Sequence, residues 1–206
     1  MLRGVLGYTL FCLGGATLAF TGGRYALGEW RQARARQSWN EAEARAVVAL
    51  ARRTASVDRR IPGVIMAGIP VARLNIPRLD LDEIVFEGVD DEALNAGPGH
   101  LPGSAFPGEP GNAVISGHRD RHFTRLGDIR VGDTLVTESG MHHGRWVVIA
   151  KRVVDADMPA LFRSSTPTLT LTTCWPIRYV GTAPMRLLVT AKPIPATDSF
   201  ASAARD

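Results

Sequence analysis

The sequence has little cysteine: its 206 residues include only Cys12 and Cys174, which lie far apart along the chain. No pair of cysteines therefore has the spacing of a metal site or a redox motif. Cys12 falls within a long apolar stretch, which argues against a disulfide between the two residues. We expect Cys174 to be a free thiol, in a chain long enough for one domain and a short additional segment.

The globular part of the chain also lacks an excess of positive charge. The formal net charge is +4, but nine arginines and only four acidic residues lie between Arg24 and Arg60, whereas residues 61–206 carry 14 basic and 16 acidic side chains. Nucleic-acid binding by the main domain is not expected, because contact with phosphates needs a clustered basic face. Arginines next to an apolar stretch fit anionic lipid headgroups better.

One apolar run is long enough to cross a bilayer. Residues 4–23, twenty residues without a charge, span about 30 Å as a helix, which is the thickness of a bilayer core. The run is predicted to be a retained transmembrane signal-anchor or a signal peptide that is removed, and its length favours the anchor. Both interpretations place the rest of the chain outside the cytoplasm, at the cell envelope. Arginines on both sides leave the orientation open.

Residues 24–68 are predicted to form a juxtamembrane helical stalk and linker. Ala, Arg, Glu and Gln are frequent between Glu29 and Thr54, and these residue types favour helices. The apolar residues of this stretch are mostly Ala and Val, so its apolar stripe is weak and the stalk is expected to be solvated. Pro62 and Gly63 then break the pattern, which places the start of the folded domain near residue 69.

Residues 69–195 have the pattern of a β domain. Seven short apolar runs, separated by Gly, Pro and Asp clusters, are predicted strands. Such a series predicts a closed barrel or a sandwich. The stretch 96–112, rich in Gly and Pro, is predicted to be a surface loop without regular structure that borders a site, and residues 196–206 a flexible tail. The seven runs are 71–77, 81–88, 112–118, 133–139, 145–154, 168–174 and 185–192.

Three residues of this domain carry the candidate chemistry. Cys174 ends the strand LTLTTC just before Pro176, where its side chain either faces a groove or is simply buried. His118 follows the strand NAVIS at a strand-to-loop edge, and an imidazole can exchange a proton with a nucleophilic thiol. Arg186 begins the next strand, so pairing brings it back toward Cys174, where a guanidinium can stabilise an oxyanion. A surface salt bridge is the alternative role for Arg186, and Arg178 is its rival.

These motifs together resemble those of the sortase family of cysteine transpeptidases. TLTTC at 170–174, ISGHRD at 115–120 and the arginine of APMRLLV occur in the set and spacing typical of that family. The end of the domain resembles class D sortases and their relatives in Gram-negative bacteria. The resemblance covers residues 69–193. It implies an all-β fold, a closed eight-stranded sortase barrel with short helices, preceded by the N-terminal transmembrane helix and stalk.

The resemblance also implies a reaction. Cys174 would attack the threonine carbonyl of an LPXTG-like sorting signal on a secreted protein and form a thioacyl enzyme. His118 would protonate the leaving amine and later deprotonate the incoming one, while Arg186 holds the substrate and the developing oxyanion. The implied partners are a secreted protein with a C-terminal sorting signal and an amine acceptor in the envelope or a pilin. No metal and no organic cofactor are expected.

Further expectations concern the surroundings of this site. Ser116, Thr173 and Trp175 are expected to contact the substrate, with strand packing as the other role open to Thr173. His100 is expected at the surface of its loop. No acidic ligand set accompanies the remaining histidines, so no metal site is predicted from them. Two other functions stay open: an exported cysteine hydrolase or peptidase that uses the same residues, and a non-catalytic membrane-tethered β-barrel that binds cell-surface proteins.

Overall fold

The computed structural model describes residues 2–53, 68–140, 142–160 and 162–195, with the side chains of the first helix described from residue 11 to residue 42. The predicted linker at 54–67 and the predicted tail at 196–206 lie outside these ranges. The helices are α1 (Leu2–Arg53) and α2 (Asp91–Ala96), with 3-10 turns at Pro77–Leu79 and Leu126–Asp128. The strands are β1 (Pro70–Ile76), β2 (Leu81–Glu87), β3 (Gly99–His100), β4 (Asn112–Ser116), β5 (Thr134–Ser139), β6 (His142–Asp155), β7 (Thr168–Trp175) and β8 (Met185–Pro193).

The eight described strands close into one barrel in the order β1-β2-β3-β4-β7-β8-β6-β5. Neighbouring strands are antiparallel except for two parallel pairs, β2 with β3 and β4 with β7. All seven predicted runs are strands, so the predicted all-β closed barrel with short helices is confirmed. The eighth strand, β3, lies in the Gly- and Pro-rich stretch 96–112. The prediction that this stretch has no regular structure is wrong there, because two of its residues pair with both β2 and β4.

Apolar residues at alternate positions of the strands fill the barrel. Leu169 and Leu171 on β7 and Leu187 on β8 are fully buried in a single core cluster. Because successive residues of a strand point to opposite faces, Cys174 and Arg186 lie on the outer face of the same two strands. Because the leucines of β7 and β8 point into the core, the side chains of Cys174 and Arg186 point outward.

Helix α1 is one continuous helix, and part of it packs on the barrel. Gly28, Gln32 and Ala35 are buried on one helix face. The side-chain amide of Gln32 accepts from the Ile84 backbone N–H (2.9 Å) and donates to the Ile84 carbonyl (3.1 Å), as a neighbouring strand would. The prediction of a solvated stalk is wrong for this stretch, because these residues are buried against β2. The local sequence does not show this contact, since β2 is about fifty residues away in sequence.

Upstream of this docked stretch, helix α1 exposes large apolar side chains, including Phe11 (80% exposed) and Leu18 (76% exposed). No helix in the described part of the chain is long and apolar enough to cross a membrane. The predicted span at 4–23 is therefore found as a helix but is not supported as a transmembrane segment. Residues 11–23 of this run, whose side chains are described, include four glycines and are followed directly by Arg24. Residues 4–10 have no described side chains.

Candidate active site

The candidate nucleophile and the candidate base lie at the ends of two parallel strands. Because β4 and β7 run in the same direction, both strands end at the same edge of the barrel. The Gly117 N–H donates to the Thr172 carbonyl (3.1 Å), and the Thr173 hydroxyl donates to the Gly117 carbonyl (2.7 Å). These two hydrogen bonds hold the residue before His118 against the strand that carries Cys174.

Arg186 is directly opposite Cys174 in the antiparallel pair of β7 and β8. Opposed residues in such a pair have Cβ atoms about 4.5–5.5 Å apart, so their side chains can contact one ligand. Arg186 Nε donates to the Ala156 carbonyl (2.8 Å) in the segment after β6. No carboxylate of the described residues forms an ion pair with Arg186. Its remaining N–H groups are thus available for a carbonyl or an oxyanion.

Cys174, His118 and Arg186 line a single open cavity of about 440 Å³. The structure therefore brings together the three residues that the sequence singled out. The cavity also has parts that sequence reasoning missed, namely an apolar wall, the segment after β6 and the residue Thr172. The apolar wall comprises Val89, Leu94, Leu101 and Val114, and the segment after β6 comprises Ala156, Asp157, Met158, Pro159 and Ala160.

Burial sets the protonation state of the imidazole in this cavity. Partial burial lowers the pKa of His118 below its ordinary value, and the nearby carboxylates of Asp120 and Asp91 oppose this effect only in part. His118 is therefore mainly neutral at pH 7, which is the form that accepts a proton from a thiol. The described residues give its ring nitrogens no hydrogen-bond partner. Cys174 is half-buried and free of any disulfide.

The expected substrate contacts differ in where the structure places them. Ser116 and Thr173 line the cavity, whereas Trp175 does not. Trp175 packs against the barrel core instead, because the alternation along β7 turns it inward after Cys174. Arg178, the rival of Arg186, is exposed in the loop after β7 and lies outside the cavity.

His100 is buried and not at the surface, so the expectation for this residue is wrong. Its Nδ1 lies 2.7 Å from Glu87 Oε2, and its Nε2 lies 2.9 Å from Ser104 Oγ and 3.0 Å from the Ala105 carbonyl. The ring also stacks on Phe106, with the ring centroids 4.6 Å apart. Both ring nitrogens have partners, so His100 joins β3 to the following loop and has no free atom for chemistry.

Within the described ranges, no group of three or more His, Cys, Asp or Glu side chains is placed to hold a metal ion. His122 is buried beside Glu83, with 3.6 Å between Nδ1 and Oε1. His142 and His143 lie at the start of β6 and line a separate cavity. The histidines of the chain therefore do not converge on one site.

Comparisons with known proteins agree with this architecture. A family model described as a sortase domain matches residues 74–194, which is more than half of the chain. The chain is 35% identical over 121 residues to Sortase D of Bacillus subtilis (strain 168), and the matched region covers 58% of this chain and 61% of that protein. The chain thus spans less than two thirds of the length of this relative.

Solved structures support the same comparison. A Clostridium perfringens Sortase D5 transpeptidase is similar in fold, with a TM-score of 0.62 at 21% identity over 82% of this chain and 99% of that chain. The catalytic domain of B. anthracis SrtD is 34% identical, with a TM-score of 0.54 over 68% of this chain and 97% of that chain. A lid mutant of Streptococcus agalactiae Sortase C1 is 29% identical, with a TM-score of 0.58 over 66% and 74% of the two chains.

Proposed function

The chain belongs to the sortase family, and on this basis we propose that it is a cysteine transpeptidase that joins a sorting-signal protein to an amine. The observation that carries the proposal is the shared cavity of Cys174, His118 and Arg186, with Cys174 opposite Arg186 on paired strands. A thiol, a mainly neutral imidazole and a guanidinium at one open cavity are the groups that acyl transfer through a covalent intermediate needs.

The proposed reaction has two halves. In the first half, the Cys174 thiol loses its proton to His118, and its sulfur attacks the threonine carbonyl of an LPXTG-like signal. The peptide C–N bond breaks, His118 gives the proton to the leaving amine, and a thioacyl enzyme remains. In the second half, His118 takes a proton from an incoming amine, whose nitrogen attacks the thioester. The C–S bond breaks, and His118 returns the proton to the sulfur, which restores the thiol. Arg186 binds the oxyanion that forms in each half.

The shape of the cavity suits a peptide substrate. The wall of Val89, Leu94, Leu101 and Val114 offers an apolar surface next to the polar end that holds Cys174. An extended peptide with apolar side chains before the scissile bond can place those side chains on the wall while its carbonyl reaches the thiol. This arrangement supports a sorting signal as substrate more than a charged small molecule.

We also propose that the enzyme works at the cell envelope, outside the cytoplasm, and that its N-terminal helix associates with the membrane. The charge-free sequence run at 4–23 and the exposed apolar side chains, such as Phe11 and Leu18, support this location. Membrane fractionation of cells, followed by protease digestion of intact and opened cells, tests it. Recovery of the full chain in the soluble cytoplasmic fraction would overturn the proposed location.

The function itself is tested with the full-length protein, a set of LPXTG-like peptides and a glycine-type or hydroxylamine acceptor. We expect mass spectrometry to find the peptide joined to the acceptor and an adduct on Cys174 whose mass equals that of the acyl fragment. Cys174→Ala should abolish both products, and Cys12→Ala is the matched control that should leave both unchanged. Cleavage without joining would favour the hydrolase, and joining that survives Cys174→Ala would exclude the proposed mechanism.

A further inference from the structure

One side chain connects the turn after His118 to the loop between the strands that carry Cys174 and Arg186. Arg119, directly after His118, reaches across to the loop between β7 and β8. Its guanidinium donates to three carbonyls of that loop: Nη1 to Pro176 (3.3 Å), and Nη2 to Tyr179 (3.1 Å) and Gly181 (2.7 Å). The guanidinium also lies over the Tyr179 ring, 5.7 Å from its centroid.

The contacted loop, residues 176–184, connects Cys174 to Arg186. Residues 178–182 are exposed, with Val180 at 98%. Among the described residues, no backbone–backbone hydrogen bond involves the loop, so its only polar connections to the rest of the protein are those from Arg119. A loop with few contacts of its own opens at low free-energy cost. Apart from the packing of Ile177 near Gly127, the loop is thus held to the rest of the protein by one guanidinium.

The other end of this connection is rigid. The turn after His118 is closed by its own carbonyl, which accepts from the N–H groups of Arg121 (3.3 Å) and Phe123 (3.0 Å). Phe123 is fully buried in the barrel core. The turn therefore serves as a fixed base, and Arg119 transmits its position to the loop that follows Cys174.

We propose that Arg119 is a positioning residue, which fixes the loop between Cys174 and Arg186 relative to the turn after His118 and so keeps the three side chains oriented toward one substrate. The proposal rests on the proposed roles of Cys174 and His118. Arg119 does not line the cavity, so it acts through the loop and not on the substrate. Arginine suits this role because its planar fork donates to several carbonyls at once, which the single ammonium of lysine does not do.

The test uses the full chain with Cys12→Ala, so that Cys174 is the only thiol. We compare Arg119→Ala, Arg119→Lys and the control Arg178→Ala, which removes an exposed arginine from the same loop. The first readout is the rate at which iodoacetamide alkylates Cys174 across pH, and the second is kcat and KM for peptide transfer. Circular dichroism and thermal melting establish that each variant is folded.

Arg119→Ala should lower kcat by about 10- to 100-fold with little change in KM, because a displacement of about 1 Å has effects of that size. It should also slow alkylation at neutral pH and change its pH profile, which a purely structural role would not do. Arg119→Lys should recover only a small part of the lost kcat and alkylation rate, and Arg178→Ala should match the parent in both. Tyr179→Leu, which keeps the carbonyl but removes the ring, should give a smaller loss than Arg119→Ala.

Two results would overturn the proposal. The first is an alkylation profile of Arg119→Ala that equals that of Arg178→Ala. The second is an Arg119→Lys variant with the full alkylation rate and kcat of the parent, which would show that a positive charge at this position is sufficient. Either result leaves the proposed function intact if Cys174→Ala abolishes transfer. Transfer that survives Cys174→Ala would instead remove the proposed function, while the alkylation rates still report whether Arg119 controls the reactivity of the thiol.

Discussion

Two Gly-His pairs on neighbouring strands of this barrel lie in opposite environments. Gly99-His100 forms β3, and Gly117-His118 follows β4, which pairs with β3. The ring of His100 is buried and both of its nitrogens have protein partners, whereas the ring of His118 borders an open cavity and receives no hydrogen bond from the described residues. The same dipeptide therefore supports structure in one place and is free for chemistry in the other.

The difference comes from what each ring meets in the fold. His100 meets a carboxylate, a hydroxyl and a carbonyl, because β3 is placed between β2 and the loop that follows it. His118 lies past the end of its strand, where the barrel edge opens toward Cys174. Burial with full pairing holds a polar group in place, and partial burial without pairing shifts its pKa and leaves it reactive. The role of each histidine thus follows from its partners.

The strongest test of this comparison is His118→Ala. We expect transfer activity to fall by about 10²- to 10⁴-fold, the usual contribution of a general acid–base group, with little change in thermal stability. His143→Ala, which removes an exposed histidine far from the cavity, is the matched control. Activity is measured with the peptide transfer assay and stability by thermal melting. A His118→Ala protein with the activity of the parent would contradict the assignment of His118 to the chemistry and leave it without a role different from that of His100.

His100→Ala should have the reverse pattern. The change leaves the buried carboxyl group of Glu87 without its hydrogen-bond partner, which costs about 1–3 kcal/mol of folding free energy. Chemical denaturation measures this loss, and the activity per folded molecule should remain close to that of the parent. Ser104→Ala, which removes one neighbour of the ring and keeps the pair with Glu87, should cost less. A specific loss of activity at full stability would assign His100 to the active site.

The glycines of the two pairs should also respond differently to alanine. A Cβ at Gly99 would lie 2.1 Å from the Gly88 carbonyl oxygen, and one at Gly117 would lie 2.6 Å from the Phe123 ring. A backbone oxygen moves less easily than a ring, so Gly99→Ala should destabilise more. For Gly117→Ala we expect about 1–3 kcal/mol, as for other overpacked sites, together with lower activity, because the turn after His118 shifts. Denaturation and transfer assays on both variants decide this, and equal effects on activity would contradict it.

Asp120→Asn should have the smallest effect, on pH dependence only. The Asp120 carboxylate raises the pKa of His118 against the larger lowering by burial, so its removal should lower that pKa further. The neutral imidazole then persists to lower pH, and the acid limb of the activity profile moves to lower pH. NMR titration of His118 measures the shift directly. A shift to higher pH would show that Asp120 does not act on His118 through its charge.

Burial also makes His118 a source of acid sensitivity. Because its pKa is lower in the folded protein, the unfolded chain binds more protons below the ordinary histidine pKa. Stability should therefore decrease as the pH falls from that ordinary value toward the lowered one, and His118→Ala should remove this part of the decrease. Thermal melting as a function of pH measures it.

Much of the barrel could be predicted from the sequence, because local patterns determine it. The run around Leu169 alternates threonine and leucine, so both this strand and its inner face are visible in the sequence. Cys174, His118 and Arg186 could be selected because each lies where such a run begins or ends. The closing strand β3 could not be found, because its two residues become a strand only through pairing with distant strands.

The errors share one cause, which is contact between residues far apart in sequence. The glycine and proline of its loop predict a surface position for His100, yet the residue is buried beside Glu87 on another strand. The docked face of helix α1 depends on Gln32 reaching the backbone of Ile84. The spacing of Gly28, Gln32, Ala35 and Trp39 fits one helix face. Because most of these residues are small or polar, the apolar pattern of that face is weak in the sequence. Arg119 was missed because its three acceptors are carbonyls, which no sequence motif records.

The contact between helix α1 and the barrel also determines how the barrel is oriented relative to the N-terminal end of the helix. The helix is continuous through its docked stretch, where Tyr25 still contacts Arg121, so the residues before Arg24 form a stiff extension with a rise of about 1.5 Å per residue. A stiff arm transmits rotation, whereas a slack tether does not. A surface or partner that binds the N-terminal end of helix α1 would therefore also fix the orientation of the candidate active-site cavity and its distance from that surface.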